Sequence, residues 1–399
     1  MKATEARSAS SPKVIISGGG TGGHIFPAIA IANAIKARHA DADILFVGAN
    51  GRMEMEKVPM AGYRIEGLNI AGFQRRLTWK NLSFPFKLLK SLQRAKKIIQ
   101  EFKPDVVIGV GGYASGPTLQ MATKLGIPCL IQEQNSYPGV TNKILSKKVQ
   151  KICVAYDGME KFFPAEKIVF TGNPIRQDIS NLENKYDEAT QYFNFPSKAN
   201  DNVIARANAR SNPDLDCFAS LAMTRKKTLL VIGGSLGART INESLSAMLP
   251  ELTKMDLQVI WQTGKNFDIS TVDTEKYPNI HITQFISRMD LAYSIADFIV
   301  SRAGALSISE LCVVGKPAIL IPSPNVSEDH QTKNAMALVN QNAGLLVADK
   351  DVRTSLHSTI SDLLNNSELQ NSLSENIKKL AKTDAVERIA DIIDQIRKP

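Results

Sequence analysis

At 399 residues, with 43% hydrophobic and 22% charged residues, the chain has room for two or three domains and the ordinary balance of a soluble globular protein. No run approaches the roughly 18 to 20 apolar residues that span a bilayer, and MKATEARSASSP at the start lacks the apolar core of a secretory signal, so the sequence points to the cytoplasm. A net charge of +9 would suit a nucleic-acid partner, but Phe73 to Lys103 holds nine Lys and Arg against one acid, Glu101, and carries +8 of it. The remainder is nearly neutral, which excludes a general polyanion-binding surface.

In chain order, KVIIS (13–17) reads as a buried parallel strand, and Pro27 to Ala37 as a helix with proline in its first turn. Then follow strand ILFVG (44–48), a basic helix over about 84–101, strand DVVIGV (105–110), a helix after Gly116 and strand PCLIQE (128–133). A helix from about Val140 and strands KICVA (151–155) and KIVFTG (167–172) complete the first series. Residues about 180–226 are polar and without period, and read as a linker or surface insertion at a domain boundary. A second series opens with TLLVIG (228–233), a glycine turn and a helix near Ala238, and continues through strands QVIWQTG, NIHITQF, DFIVS and PAILIPS. Alternation of this kind predicts α/β architecture, two successive Rossmann-like doubly wound halves. The scattered Cys129, Cys153, Cys217 and Cys312 read as reduced thiols, three of them in or beside apolar runs.

Each half opens on a strand that runs into glycines. SGGGTGGHIF (17–26) satisfies G-x-G-x-x-G through Gly18, Gly20 and Gly23, a turn that aims backbone N–H groups and a helix N-terminus at an anion. A dinucleotide site also requires an acid at the end of the second strand, to hold the ribose. Here that strand ends in Gly48-Ala49-Asn50, and Asp41 and Asp43 precede it at the wrong end, so the pattern disfavours NAD. Asp41-Ala-Asp43 and Asp214-Leu-Asp216 are formally D-x-D metal motifs but sit on loops, where solvated acids are the simpler reading. His24, just past the glycines, can donate to an anion, take a proton from a hydroxyl, or merely cap the helix. IGVGGYASGP (108–117) and IGGSLGA (232–238) are further glycine turns after strands, and three such turns suggest a large site for phosphorylated ligands.

GGGTGGHIFPAIAIA, GGYASGP, QEQNSYPGVTNK, TGNPIR, GGSLGARTIN and SRAGALSISELCVVGKPAILIPSP with DHQTKNA resemble the bacterial MurG family, from about Val14 to the C-terminal helices. The resemblance implies a GT-B fold, two Rossmann-like doubly wound domains facing across a cleft. They would span residues 13–178, completed by a helix at about 380–399, and 227–379, with the polar segment 179–226 between them. It implies an inverting hexosyltransferase of peptidoglycan synthesis that moves N-acetylglucosamine from UDP-N-acetylglucosamine to lipid I, with no cofactor or metal required. Carried over motif by motif, Thr21, Gly22, Gly23, Asn135, Arg176 and Ser235 would meet the donor sugar and diphosphate. Ile286 would hold uracil through its backbone. Ala305, Leu306, Ser307, Ile308, Ser309 and Glu310 would wrap diphosphate and ribose, with Glu310 on the ribose hydroxyls, and Gln331 would contact the sugar. Gly111, Gly112, Tyr113 and Ser115 would receive the acceptor's pyrophosphate; alternatively GGYASGP is only a tight strand–helix junction. Leu236 departs from the glutamine frequent in the family's GGSQGA.

His24 is the leading candidate for the general base, with Glu133 the other catalytic candidate. Phe73, Leu77, Trp79, Leu82, Phe84, Pro85, Phe86, Leu88 and Leu89 interleave with the cations of the basic segment, which suits an anionic membrane surface; a solvated helix face is the plainer reading of a charge run. The resemblance places the protein peripherally on the cytoplasmic face of the inner membrane, with other cell-wall enzymes as partners and roles in cell shape and division. Rival readings are a glycolipid synthase using diacylglycerol, a nicotinamide oxidoreductase, and a non-catalytic nucleotide-sugar-binding protein.

Overall fold

The computed structural model describes residues 11–70, 84–179, 182–195, 226–234, 236–326 and 329–397. The chain divides into two compact units, one running to Arg176 and resuming at Lys382, the other spanning Gln177–Ala381. The insertion residues 199–224, Ser235, Cys217, and Phe73 to Leu82 lie outside the described residues.

The first unit is built on seven parallel strands in the order β3-β2-β1-β4-β5-β6-β7. These are β1 (Lys13–Gly18), β2 (Asp43–Ala49), β3 (Arg64–Leu68), β4 (Val106–Gly111), β5 (Cys129–Glu133), β6 (Lys151–Val154) and β7 (Ile168–Phe170). Between them run α1 (Gly22–Arg38), α2 (Glu54–Met60), α3 (Phe84–Phe102), α4 (Ser115–Lys124) and α5 (Val140–Leu145). Central parallel strands are covered on both faces, so they read as continuous apolar runs. Ile15 and Val107 feed the core under α3 and α4, whereas Val14, Ile16, Val106 and Ile108 feed the core under α1. The basic helix α3 buries Ser91, Ala95, Ile98 and Ile99 at helical spacing and leaves Lys87, Lys90, Arg94, Lys96 and Lys97 exposed.

In the second unit six parallel strands follow the order β10-β9-β8-β11-β12-β13. They are β8 (Lys227–Ile232), β9 (Leu257–Gln262), β10 (Ile280–Thr283), β11 (Phe298–Ser301), β12 (Ala318–Leu320) and β13 (Leu345–Leu346). Its helices are α6 (Tyr186–Tyr192), α7 (Arg239–Lys254), α8 (Met289–Ile295), α9 (Ala305–Val314), α10 (His330–Val339), α11 (Val352–Asn365) and α12 (Ser367–Lys379). Trp261, Phe298, Leu245 and Leu252 are fully buried in one core of this unit.

The last helix, α13 (Ala385–Ile396), belongs to the first unit and packs on α1. It buries Ile389, Ile392 and Ile393, at 0%, 7% and 2% exposure. Their burial contributes about 5 to 9 kcal/mol as an upper bound. The accompanying pairs Arg38–Asp391 and His39–Asp394 are partly exposed and add at most about 1 kcal/mol each. The apolar face therefore decides where this helix docks.

Three local features differ from the sequence expectation. Helix α1 starts at Gly22, so Pro27 stands at its sixth position rather than in its first turn, where it forgoes one helical hydrogen bond. The short elements α2, β3 and β13 are unforeseen, because seven residues or fewer carry too little periodicity to read. Part of the segment read as linker is ordered and forms α6, held to α8 by side chains described below.

Candidate active site

In an open parallel sheet, ligands bind where the strand order reverses, at the C-terminal ends of the two strands that flank the reversal. In the first unit those strands are β1 and β4, and both end in glycine turns. The β1–β4 register shifts between Ser17 and Gly18, pairing Gly18 with Gly111. The Gly19 N–H then donates to the Gly111 carbonyl at 3.3 Å. A Cβ on Gly18 would fall 2.1 Å from Val110 Cγ2, and one on Gly112 2.3 Å from the Gly19 carbonyl oxygen. At Gly111, with φ +93°, a Cβ would lie 2.8 Å from both Cδ2 and Nε2 of His24. The two turns interlock, and the His24 ring lies on Gly111.

Thr21 caps α1 in extended conformation, and its carbonyl accepts from the His24 and Ile25 N–H groups at 3.1 and 3.2 Å. Its hydroxyl is 3.3 Å from His24 Nδ1. Thr21 and Gly23 are exposed, Gly22 and His24 half-buried. The structure thus gathers Thr21, Gly22, Gly23, His24, Gly111 and Gly112 at one sheet edge. Tyr113 is 47% exposed on the same turn. Ser115 begins α4 and is buried, and its hydroxyl has no hydrogen-bond partner among the described residues.

Glu133 departs from a catalytic placement. It is 2% exposed, and its oxygens accept from the Asn135 N–H at 3.0 Å, the Gly139 N–H at 3.2 Å and Asn142 Nδ2 at 2.8 Å. Burial pushes its carboxyl up, and these donors oppose the shift. Its surroundings are those of a loop organiser, and Asn135 is one of the groups it organises. Beside it Gln134 Nε2 donates to the Val110 carbonyl at 2.8 Å, and Asn173 bridges Gln132 and the Gln134 carbonyl at 3.0 and 3.1 Å. This amide network ties the TGNPIR segment to the ends of β4 and β5. Sequence reading missed the network because single glutamines carry no spacing signal. Arg176 follows on that segment, half-buried at the unit's end.

In the second unit the reversal lies between β8 and β11. A Cβ on Gly237 would meet the Thr263 carbonyl oxygen at 2.3 Å, and one on Gly264 the Gly237 nitrogen at 2.0 Å, so the turns after β8 and β9 clasp each other. Leu236 is 52% exposed in the first of them. After β11, Arg302 is anchored by Asp349, by Thr240 Oγ1 at 3.0 Å and by the Ile321 and Pro322 carbonyls at 3.2 Å each. Gly304 caps α9 in extended conformation, leaving a helix N-terminus at the strand edge with no acid in its first turn. Along α9, Ala305, Leu306 and Ile308 are buried, while Ser307, Ser309 and Glu310 are half-buried. Glu310 accepts from the Tyr293 hydroxyl at 3.0 Å. Gln331, in the first turn of α10, accepts the Ser323 N–H at 2.8 Å, and Asn334 donates to the Ala303 carbonyl at 3.3 Å.

Ile286 has a buried side chain, at 2% exposure, in the loop after β10. That loop is held by α6, which the sequence had as linker. Lys185 Nζ reaches Asp290 at 2.9 Å, Arg288 grips Asp290 through two 2.9 Å bonds and Glu188 at 2.9 Å, and the Tyr192 hydroxyl meets Ser287 Oγ at 3.1 Å. Phe193 stands edge-on to His281, ring centroids 5.1 Å apart.

Cys129, Cys153 and Cys312 are free and buried, and burial pushes each thiol up to about 12.

Paired parallel sheets with helix ends and glycine turns at both reversals define the class, a GT-B glycosyltransferase fold. Residues 14–154 match the glycosyltransferase family 28 N-terminal domain and residues 228–389 its C-terminal domain. A UDP-N-acetylglucosamine--N-acetylmuramyl-(pentapeptide) pyrophosphoryl-undecaprenol N-acetylglucosamine transferase of Parabacteroides distasonis is 52% identical over 387 residues, covering 96% of this chain and 98% of its own. The transferase of the same name from Phocaeicola vulgatus is 53% identical over 383 residues, covering 95% and 94%. The crystal structure of Acinetobacter baumannii MurG superposes with a TM-score of 0.70 at 27% identity, over 96% of this chain and 99% of that one. The chain belongs to the MurG family of N-acetylglucosamine transferases, within glycosyltransferase family 28.

Proposed function

We infer that the chain transfers N-acetylglucosamine from UDP-N-acetylglucosamine to the 4-hydroxyl of MurNAc in undecaprenyl-pyrophosphoryl-MurNAc-pentapeptide, turning lipid I into lipid II. Identity of about half over nearly the whole length of relatives bearing that activity in their names supports the substrates. The observation that carries the chemistry is His24 on Gly111, between the two interlocked turns.

Displacement at the anomeric carbon builds negative charge on the departing diphosphate. The N-terminus of α9 and the clasped glycine turns offer prearranged N–H groups for that charge, so the scheme requires neither metal nor cofactor. Ser235 joins that set in this proposal, Glu310 holds the ribose, the Ile286 loop the uracil and Gln331 the sugar, with Asn135 and Arg176 as further donor contacts. The incoming hydroxyl attacks from the opposite face, giving inversion, and must lose its proton as it does so. His24 takes that proton; Thr21, 3.3 Å from its other ring nitrogen, orients the ring. Gly111, Gly112, Tyr113 and Ser115 receive the acceptor's pyrophosphate.

A lipid-linked acceptor calls for a membrane-facing surface. No helix among the described residues is long and apolar enough to cross a membrane. Phe86 and Leu89 on α3 are 72% and 55% exposed among exposed lysines, and Val140 and Ile144 on α5 are 72% and 63% exposed beside Lys143 and Lys147. Apolar side chains ringed by cations suit peripheral docking on anionic lipid at the cytoplasmic face of the plasma membrane. Partnership with other cell-wall enzymes, and with it an effect on cell shape and division, follows from the product.

The test is His24→Ala. Loss of a general base costs about 10²- to 10⁴-fold in turnover, and donor affinity by calorimetry should remain as in the wild type. Unchanged turnover would remove the assignment of His24.

A further inference from the structure

The first turn holds more glycine than an anion site needs, and a buried carboxylate accounts for the surplus. Glu54, the first residue of α2, is 1% exposed. Its Oε2 accepts from the Gly20 N–H at 2.7 Å and its Oε1 from the Ala49 N–H at 3.0 Å. A Cβ on Gly19 would stand 2.2 to 2.6 Å from the carboxyl atoms, and one on Gly48 2.6 Å from Glu54 Cγ. Gly19 and Gly20 also adopt φ of +148° and +91°, conformations that favour glycine. A carboxylate leaves water at high cost unless donors satisfy it, and here the donors are the backbone N–H groups of the turn after β1 and of the last residue of β2.

Glu54 therefore fills, from within the chain, the spot between β1 and β2 where a dinucleotide-binding fold seats its cofactor's phosphates and ribose. The Gly20 N–H serves this carboxylate rather than a ligand. One residue further on, Thr21 caps α1, and His24 follows three residues later on Gly111. We propose that Glu54 is a positioning residue for the transfer reaction, an internal anion that sets the Gly20–Thr21 turn and thereby holds His24 over the second turn. The proposal rests on the reading of His24 as base.

Glu54→Gln is nearly isosteric but replaces one accepting oxygen with a donor facing an N–H. Steady-state UDP release with a soluble lipid I analogue should show kcat lower by about 10- to 100-fold, the cost of displacing a reacting group by a fraction of an ångström to 1 Å. Most of the donor contacts proposed above lie in the second unit, so the donor KM should change by less than kcat does, with the larger share of the loss falling on the transition state. In a His24→Ala background the same substitution should cost nothing further, because it acts through that ring. Glu54→Asp, which keeps the carboxyl group but shortens its reach to the Gly20 N–H, should likewise lose kcat; this variant carries the test should Glu54→Gln fail to fold. Full kcat in either folded variant, parallel losses in kcat and donor KM, or additive losses with His24→Ala would overturn the proposal. The wild type separates the two levels: if it releases no UDP the transferase reading fails, and if it does while Glu54→Gln is unaffected only the role of Glu54 fails.

Discussion

Gly111→Ala puts one methyl group against the His24 ring. The new Cβ lies 2.8 Å from Cδ2 and Nε2, whereas a relaxed carbon contact sits at about 3.5 to 4.0 Å. The ring must retreat by about 0.7 to 1.2 Å, or the turn must open. Displacing a reacting group by about 1 Å costs on the order of 100-fold. The φ of +93° adds backbone strain, typically about 1 to 3 kcal/mol for a residue with a Cβ. Gly126→Ala isolates that second effect, because Gly126 has φ +69° in the turn after α4 and a Cβ placed there would meet no atom within 4 Å. Both variants should lose stability in the same range, a fall in Tm of about 2 to 4 °C per kcal/mol for a unit of this size. Only Gly111→Ala should lose turnover, by about 100-fold at unchanged donor KM. Thermal melts and steady-state UDP release on both proteins measure the two effects separately. Equal turnover in the two variants would refute the placement of His24 as the group that matters on Gly111.

Asp290, gripped by Arg288 and Lys185, has its carboxyl held well below the usual carboxylate range. A depressed pKa stabilises the fold above the unfolded value of about 3.9 and ceases to do so as pH falls through the folded value. Asp290→Asn should therefore lower Tm by about 4 to 8 °C at neutral pH, for a loss of about 2 kcal/mol, with the gap to wild type narrowing steadily as pH falls below about 4; a gap that stays constant between about pH 5 and pH 2 would contradict the ion-pair account. Glu310→Gln should raise the donor KM severalfold at little cost in kcat if Glu310 accepts from the ribose in ground and transition states alike. Phe86→Asp with Leu89→Asp should reduce sedimentation with anionic liposomes at low salt without altering turnover on a soluble acceptor; equal sedimentation would remove the membrane surface from α3.

The long apolar strands were legible because a parallel sheet buried on both faces forces continuous β-branched runs, as in Val14–Ile16 and Val106–Ile108. The glycine turns were legible as strand–turn–helix junctions, but not the partner each glycine makes room for. Gly111 admits a histidine, Gly19 a glutamate and Gly237 a carbonyl, and only three-dimensional proximity distinguishes them. Glu133 has the strand-end position of a catalytic acid; its Asn and Gly donors come from the next nine residues and fold back over it. The strap around α6 was hidden because its meaning lies in charge pairing across about 100 residues, Lys185 with Asp290, rather than in any local period. No acid stands at positions 48–50, where a dinucleotide site would require one for the ribose, yet Glu54 arrives at the same place from the following helix and accepts from the Ala49 N–H itself.

The transfer requires both substrates at once. UDP release from UDP-N-acetylglucosamine should be fast with a lipid I analogue and near background without it or with diacylglycerol in its place. Release independent of the acceptor, or faster with diacylglycerol, would contradict the account.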